Sequence, residues 1–170
     1  IDMHVHLTNQ SSNRAYLERV TLNSADYAIR ATKNAEKTLI AGFTTVRNLG
    51  DSSSVTISLR NAINQEIIPG PRIFTSGKTI SSTGGHGDPT NSLNEELTKD
   101  LGPDDGVING EVDAFKAVRS RYKENADLIK ITATGGVLSN AKDGQNPQLT
   151  TEEITAVVKA ARDYGFKVAA

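Results

Sequence analysis

The chain has 170 residues, a formal net charge of −1 and no cysteine. Near-neutral charge gives no electrostatic case for nucleic acid or an anionic membrane surface, and the longest apolar runs are far too short to span a bilayer. The missing cysteines exclude disulfides and thiolate catalysis without indicating a compartment.

Ile1-Asp2-Met3-His4-Val5-His6-Leu7 reads as the first strand. Period-two alternation turns His4 and His6 to one face, where two imidazoles can share one metal ion. Ile1, Met3, Val5 and Leu7 are left for a face covered by helices. On this stretch alone, two histidines in a polar strand end are an equal reading. Residues 8–23 are polar and mixed, a loop with a short helix around Tyr16 to Val20. Ser24 can cap a helix running to about Ile40, which Gly42 ends. Phe43 to Leu49 follows as strand two.

Gly50-Asp51-Ser52-Ser53 makes a turn that can also cap a helix from Val55 to Glu66, and Arg72 to Gly77 is strand three. A Gly-, Ser- and Asp-rich excursion over 78–110 is longer than ordinary connections, and such loops often serve sites. Glu111 to Glu124 is a helix with Val112, Phe115, Val118, Arg119 and Tyr122 on one stripe. Asp127 to Thr132 is strand four, followed by a glycine-rich loop over 133–149. Thr150 and Glu153 fit a capping box for a helix carrying Ile154, Val157, Val158, Ala161 and Tyr164 at helical spacing. A fifth strand follows Gly165.

Strands alternating with helical crossovers demand a parallel sheet. An open doubly wound sheet and half of an (α/β)8 barrel both fit this order. No Gly-x-Gly-x-x-Gly follows strand one and no Walker loop occurs, so nucleotide readings lose their usual support. A full barrel takes roughly 250 residues, so five strands would leave unpaired edges. The chain opens inside one strand and closes inside another. A piece of a larger protein, or one chain of a cleaved or split one, is therefore expected. A leader peptide would lie upstream of Ile1, and the compartment stays open.

Within strand four, period two places Leu128, Lys130 and Thr132 on one face and Ile129 and Ile131 on the other. The isoleucines suit the face packed on helices, so Lys130 points to the interior. A bare buried ammonium is costly. Three arrangements relieve the cost: a salt bridge, a Schiff-base nucleophile of lowered pKa, or reaction with carbon dioxide to a carbamate. The carbamate is an anion able to bridge two metal ions. The histidine pair favours it, because such a pair needs anionic ligands nearby.

Five segments in order resemble the amidohydrolase superfamily over essentially the whole chain. They are His4-Val5-His6, Ala41 to Asn48, Gly70-Pro71-Arg72, Thr83-Gly84-Gly85-His86-Gly87-Asp88, and Asp127 to Ile131 with Gly135-Gly136. Within that superfamily they are similar to the imidazolonepropionase-like and prolidase-like branch, which includes Xaa-Pro and Xaa-Arg dipeptidases. The resemblance implies an α/β fold, the first half (about five strands) of a distorted (β/α)8 barrel. Residues 1–170 would then be a partial hydrolase domain, with 78–110 as an active-site loop. It implies two divalent metal ions, zinc being the favoured one, that activate a bridging water. His4 and His6 match metal ligands, and Lys130 matches the carboxylated lysine formed from CO2.

The family's further ligands, two histidines on strands five and six and an aspartate on strand eight, are expected beyond Ala170. The remaining half of the barrel is thus the expected partner, and the isolated fragment is expected to be inactive. A homo-oligomer is also compatible. His86, among glycines after strand three, is a candidate for substrate contact or carbonyl polarisation, against a plain loop histidine. Asp88, Lys78, Arg47, Thr132 and Thr134 are weaker candidates. The expected reaction is hydrolysis of an amide C–N bond in a dipeptide or N-acyl amino acid. The alternatives are cyclic amides, carbamates or phosphotriesters on the same metals, a Schiff-base lyase, and a non-catalytic barrel fragment.

Overall fold

The computed structural model describes residues 1–9, 13–136 and 144–170. Parts of the predicted loops at 8–23 and 133–149 therefore lie outside the described residues. The chain divides into two compact units, Ile1–Gly77 and Lys78–Ala170.

In the first unit, β1 (Asp2–Val5), β2 (Thr45–Asn48) and β3 (Arg72–Thr75) form a parallel sheet in that order. The crossovers are α1 (Ala15–Thr21) with α2 (Ser24–Ile40), then α3 (Val55–Asn64). Val46 and Ile73 are buried, with Leu7, against Ala31, Ala35, Val55 and Leu59 of the two longer helices. Val5 packs on this cluster, whereas Ile1 and Met3 are exposed. The expected helix-covered face of β1 is thus realised only at its C-terminal end, beyond a register shift between Asp2 and Val5. The cap of α2 is Asn23, one residue before the expected Ser24. Asn23 and Asp26 form a reciprocal capping box that satisfies donors of the first turn.

In the second unit, β4 (Ser81–Ser82) pairs with β5 (Val107–Ile108), and β6 (Ile129–Lys130) with β7 (Val168–Ala169), both in parallel. A parallel bridge joins Ile80 to Ile131. The helices are α4 (Glu111–Lys123) and α5 (Thr151–Asp163). The excursion over 78–110 is not loop throughout. Ile80, Val107 and Ile108 are fully or almost fully buried, and Ile80 and Ile108 belong to the core. Between β4 and β5 lie only turns and two short 3-10 stretches, Glu95–Leu97 and Pro103–Asp105.

Ile129 and Ile131 pack with Ala114, Val118, Val157 and Ala161, the helix-facing role read from their alternation. The α4 stripe is rotated from expectation. Ala114, Ala117, Val118 and Arg121 are buried, while Val112 is 83% exposed. The α5 start is as expected, with Thr150 Oγ1 accepting from the Glu153 amide at 3.1 Å and the Glu153 carboxylate accepting from the Thr150 amide at 2.8 Å.

Candidate active site

His4 and His6 belong to the first unit. Their rings stand edge to face with centroids 5.2 Å apart. Two imidazoles bonded to one tetrahedral ion at about 2.0–2.1 Å would have ring centres roughly 5 Å apart, so the pair fits a shared ion. His6 Nδ1 lies 3.1 Å from the Gly50 carbonyl oxygen. A carbonyl only accepts, so in the neutral ring Nδ1 is the protonated nitrogen and Nε2 the one able to bind a metal. The His4 amide donates to Asp2 Oδ1 at 3.0 Å, which stiffens the strand start.

The end of β1 is gripped from β2. Leu49 N donates to Val5 O at 3.1 Å, and Leu7 N donates to Asn48 Oδ1 at 2.8 Å. Asn34 Nδ2 of α2 holds Leu7 O at 2.8 Å. Asn48 is fully buried, beside a polar cluster in which Thr56 Oγ1 bonds Thr75 Oγ1 at 2.6 Å and the Asp51 carboxylate accepts from Thr56 N and Oγ1. The turn over 50–53 therefore serves α3 through Asp51, which reaches the amide of the second helical residue. This network was not read from the sequence. Its one local signal is Asn48, which shares the buried face of β2 with Val46.

Lys130 and His86 belong to the second unit. Lys130 is buried at 8% exposure, on the strand face opposite the core isoleucines. Thr132, two residues on along the same face, is also buried, and its Oγ1 has no hydrogen-bond partner among the described residues. The segment after β4 folds back over this end of the strand. Gly87 N donates to Ser81 Oγ at 3.1 Å, and a β-carbon on Gly87 would come within 3.2 Å of Thr132 Oγ1. His86 is exposed, its amide held by Gln148 Oε1 at 2.8 Å and its ring laid against Gly136.

Burial opposes ionisation of Asp88. Hydrogen bonds from Thr90 Oγ1 and from the Gly84 and Thr90 amides outweigh it and hold the carboxyl below its usual range. Asp88 thus shapes the His86 turn. The other weak candidates have local employment. Arg47 Nε donates to Met3 O at 2.7 Å, and Lys78 Nζ donates to Asp104 O at 2.9 Å and lies 3.5 Å from Asp105. Thr134 forms a bridge with Pro147. Among the described residues, no three His, Cys, Asp or Glu side chains gather to hold an ion. His4 with His6 in the first unit, and Lys130 in the second, are the residues for which the sequence anticipated a metal.

Solved structures carry this fold. A crystal structure of an Xaa-Pro dipeptidase with bound methionine in the active site superposes with a TM-score of 0.91 at 53% identity, over 98% of this chain and 41% of that one. A prolidase complexed with N-methylphosphonate-L-proline gives 0.82 at 31% identity, again over 98% and 41%. Ochratoxinase from Aspergillus niger is 27% identical over 172 residues, covering 94% of this chain and 35% of the fungal protein. The chain thus spans about two fifths or less of its relatives' length. The expected class is found: α/β, parallel strands with helical crossovers, matching the first half of the amidohydrolase barrel. The match to the amidohydrolase family runs over residues 1–170, and the chain belongs to that family.

Proposed function

We propose that the full-length protein carrying this chain hydrolyses amide C–N bonds in a metal-dependent reaction, with dipeptides or N-acyl amino acids as substrates. The observation that carries the reading is the His4–His6 ring pair, spaced for one ion, with Nδ1 of His6 already committed to a carbonyl. Two divalent ions, zinc by the imidazole donors, would supply an activated water at neutral pH and Lewis acidity toward the substrate carbonyl. His4 and His6 would hold one ion of that centre. Lys130, as a neutral amine, would add CO2 and lose a proton to give a carbamate, an anionic oxygen donor for a metal ion. Lys130 is buried at 8% exposure, which is the position this reading asks of it.

His86 donates to the scissile carbonyl oxygen as negative charge develops there. Overall, water adds to the acyl carbon, the C–N bond breaks, and the leaving nitrogen takes up a proton. The other histidines and the aspartate that moves this proton come from the remaining half of the barrel, the partner of residues 1–170. Similarity to an Xaa-Pro dipeptidase and a prolidase supports the dipeptide class. Similarity to ochratoxinase supports a second reading, a toxin-like substrate on the same centre.

The test is metal analysis of the full-length protein, with turnover of a panel of dipeptides, N-acyl amino acids and ochratoxin before and after chelation. Activity lost with the metal and restored by zinc is expected. Undiminished turnover in metal-free protein would overturn the reading.

A further inference from the structure

The three residues that end β2 and begin its turn make three separate contacts with the end of β1. Leu49 N binds Val5 O, Asn48 Oδ1 binds Leu7 N, and Gly50 O binds the His6 ring at Nδ1. His6 is thus fixed through the backbone on both sides and through its own side chain, by one tripeptide 42–44 positions away. The carbonyl of Gly50 is itself held in place. Asn48 Nδ2 donates to it at 3.2 Å, and Gly50 has φ +139°, a conformation that side chains other than hydrogen rarely adopt.

Asn48 therefore uses both ends of its amide at once. The oxygen fixes the strand that carries His6, and the nitrogen fixes the acceptor that selects the tautomer of His6. A buried carbonyl has two lone pairs, and here they are divided between an amide and an imidazole. The shorter hydrogen bonds of Asp51 and Thr56 close on the start of α3 and on Thr75, and Thr56 Oγ1 accepts from Asn48 Nδ2 only at 3.5 Å, longer than the 3.2 Å bond to Gly50.

We infer that Asn48 is a positioning residue for His6: through the Gly50 carbonyl it holds the imidazole as the Nδ1–H tautomer, aimed with Nε2 open to a metal ion. The metal clause rests on the function proposed above; the tautomer clause does not.

The test uses the full-length protein with 15N-labelled histidine, the His6 ring signals being assigned by a His6→Gln variant. In metal-free wild type at a pH where the ring is neutral, Nδ1 is expected to be the protonated nitrogen. Asn48→Asp keeps the acceptor for Leu7 and the side-chain size but removes the donor to Gly50. Asn48→Ala removes both contacts and serves if the aspartate variant does not fold. In either folded variant the Nδ1–H population should fall, and zinc affinity by chelator competition should drop about tenfold or more, the range seen when partners of ligating histidines are removed.

Thr56→Val is the control. It disturbs the same buried cluster and lowers the melting temperature, yet leaves the tautomer unchanged and zinc affinity within about twofold of wild type. A wild-type His6 protonated at Nε2 would overturn the inference. So would a folded Asn48 variant with an unaltered tautomer, or equal zinc losses in Asn48→Asp and Thr56→Val. A wild type that binds no zinc, with a tautomer that still follows Asn48, would end the metal reading and leave the positioning role standing.

Discussion

The His86 ring occupies the space that a β-carbon on Gly136 would need, with its Nδ1 and Cε1 nearest to that position. A side chain at residue 136 would therefore meet the imidazole directly. The His86 amide is tied to Gln148 of the loop after β6 as well. Gly136→Ala should push the imidazole out of place while leaving the histidine itself intact. In the full-length protein the expected result is a fall in kcat of roughly 10²-fold, the scale of losing one aligned donor to a developing oxyanion, with metal content unchanged. Metal analysis beside steady-state kinetics checks it. A parallel loss of metal would mean that His86 is a ligand instead.

Lys130 tests the anionic-ligand role. Lys130→Ala in the full-length protein is expected to lose most metal and nearly all turnover while keeping the melting temperature within a few degrees. The isoleucines on either side of Lys130, which face the helices, carry that part of the core. Lys130→Arg keeps a cation that forms no carbamate, and it should fail equally. Wild-type activity in either variant, with metal retained, would remove the carbamate from the mechanism.

What the sequence disclosed and what it hid differ by range of interaction. The α5 cap was legible because Thr150 and Glu153 close it within three residues. The facing of His4 with His6, and of Ile129 with Ile131, needed only the period of a strand. The α4 stripe misled because hydrophobicity ranks Val112 and Tyr122 above Ala114 and Arg121. Arg121 goes inside because Asp104, 17 positions away, and Lys78, 43 positions away, offer carbonyls there. Small alanines then let α4 approach the sheet. The Asn48–Gly50–His6 link spans 44 residues, and no local pattern announces it.

Asp88 gives a pH prediction. Its carboxyl lies below its usual range in the folded chain. A depressed folded pKa contributes stability that is complete above the unfolded value, near 3.9, and is lost as pH falls through the folded value. Wild type should therefore lose melting temperature as the pH drops below about 4, and Asp88→Asn should lose less over that interval. The variant should be the less stable at pH 7, because its amide replaces one of the acceptors serving Gly84 and Thr90. Melting curves from pH 7 to pH 2.5 check both. Parallel curves for the two proteins would remove the carboxylate from the account.

Arg121 is expected to be the costliest single side chain in the second unit. It is 0% exposed, and its guanidinium donates to Asp104 O at 2.7 Å and Lys78 O at 3.4 Å, while Nε lies 3.1 Å from Glu124 Oε2. It ties α4 to both Lys78 and the Pro103–Asp105 turn, so removing it frees the start of the 78–110 segment and strands the Glu124 carboxylate. Arg121→Ala should cost about 3–5 kcal/mol, the range for breaking a buried charged pair from one side. Arg121→Met keeps most of the packed stem and should cost less, because the aliphatic part of a buried arginine contributes packing of its own. Urea unfolding of the full-length protein distinguishes the contributions. Equal losses in the two variants would assign the effect to the guanidinium alone, and a loss under about 1 kcal/mol in both would show that the cluster is not holding the segment.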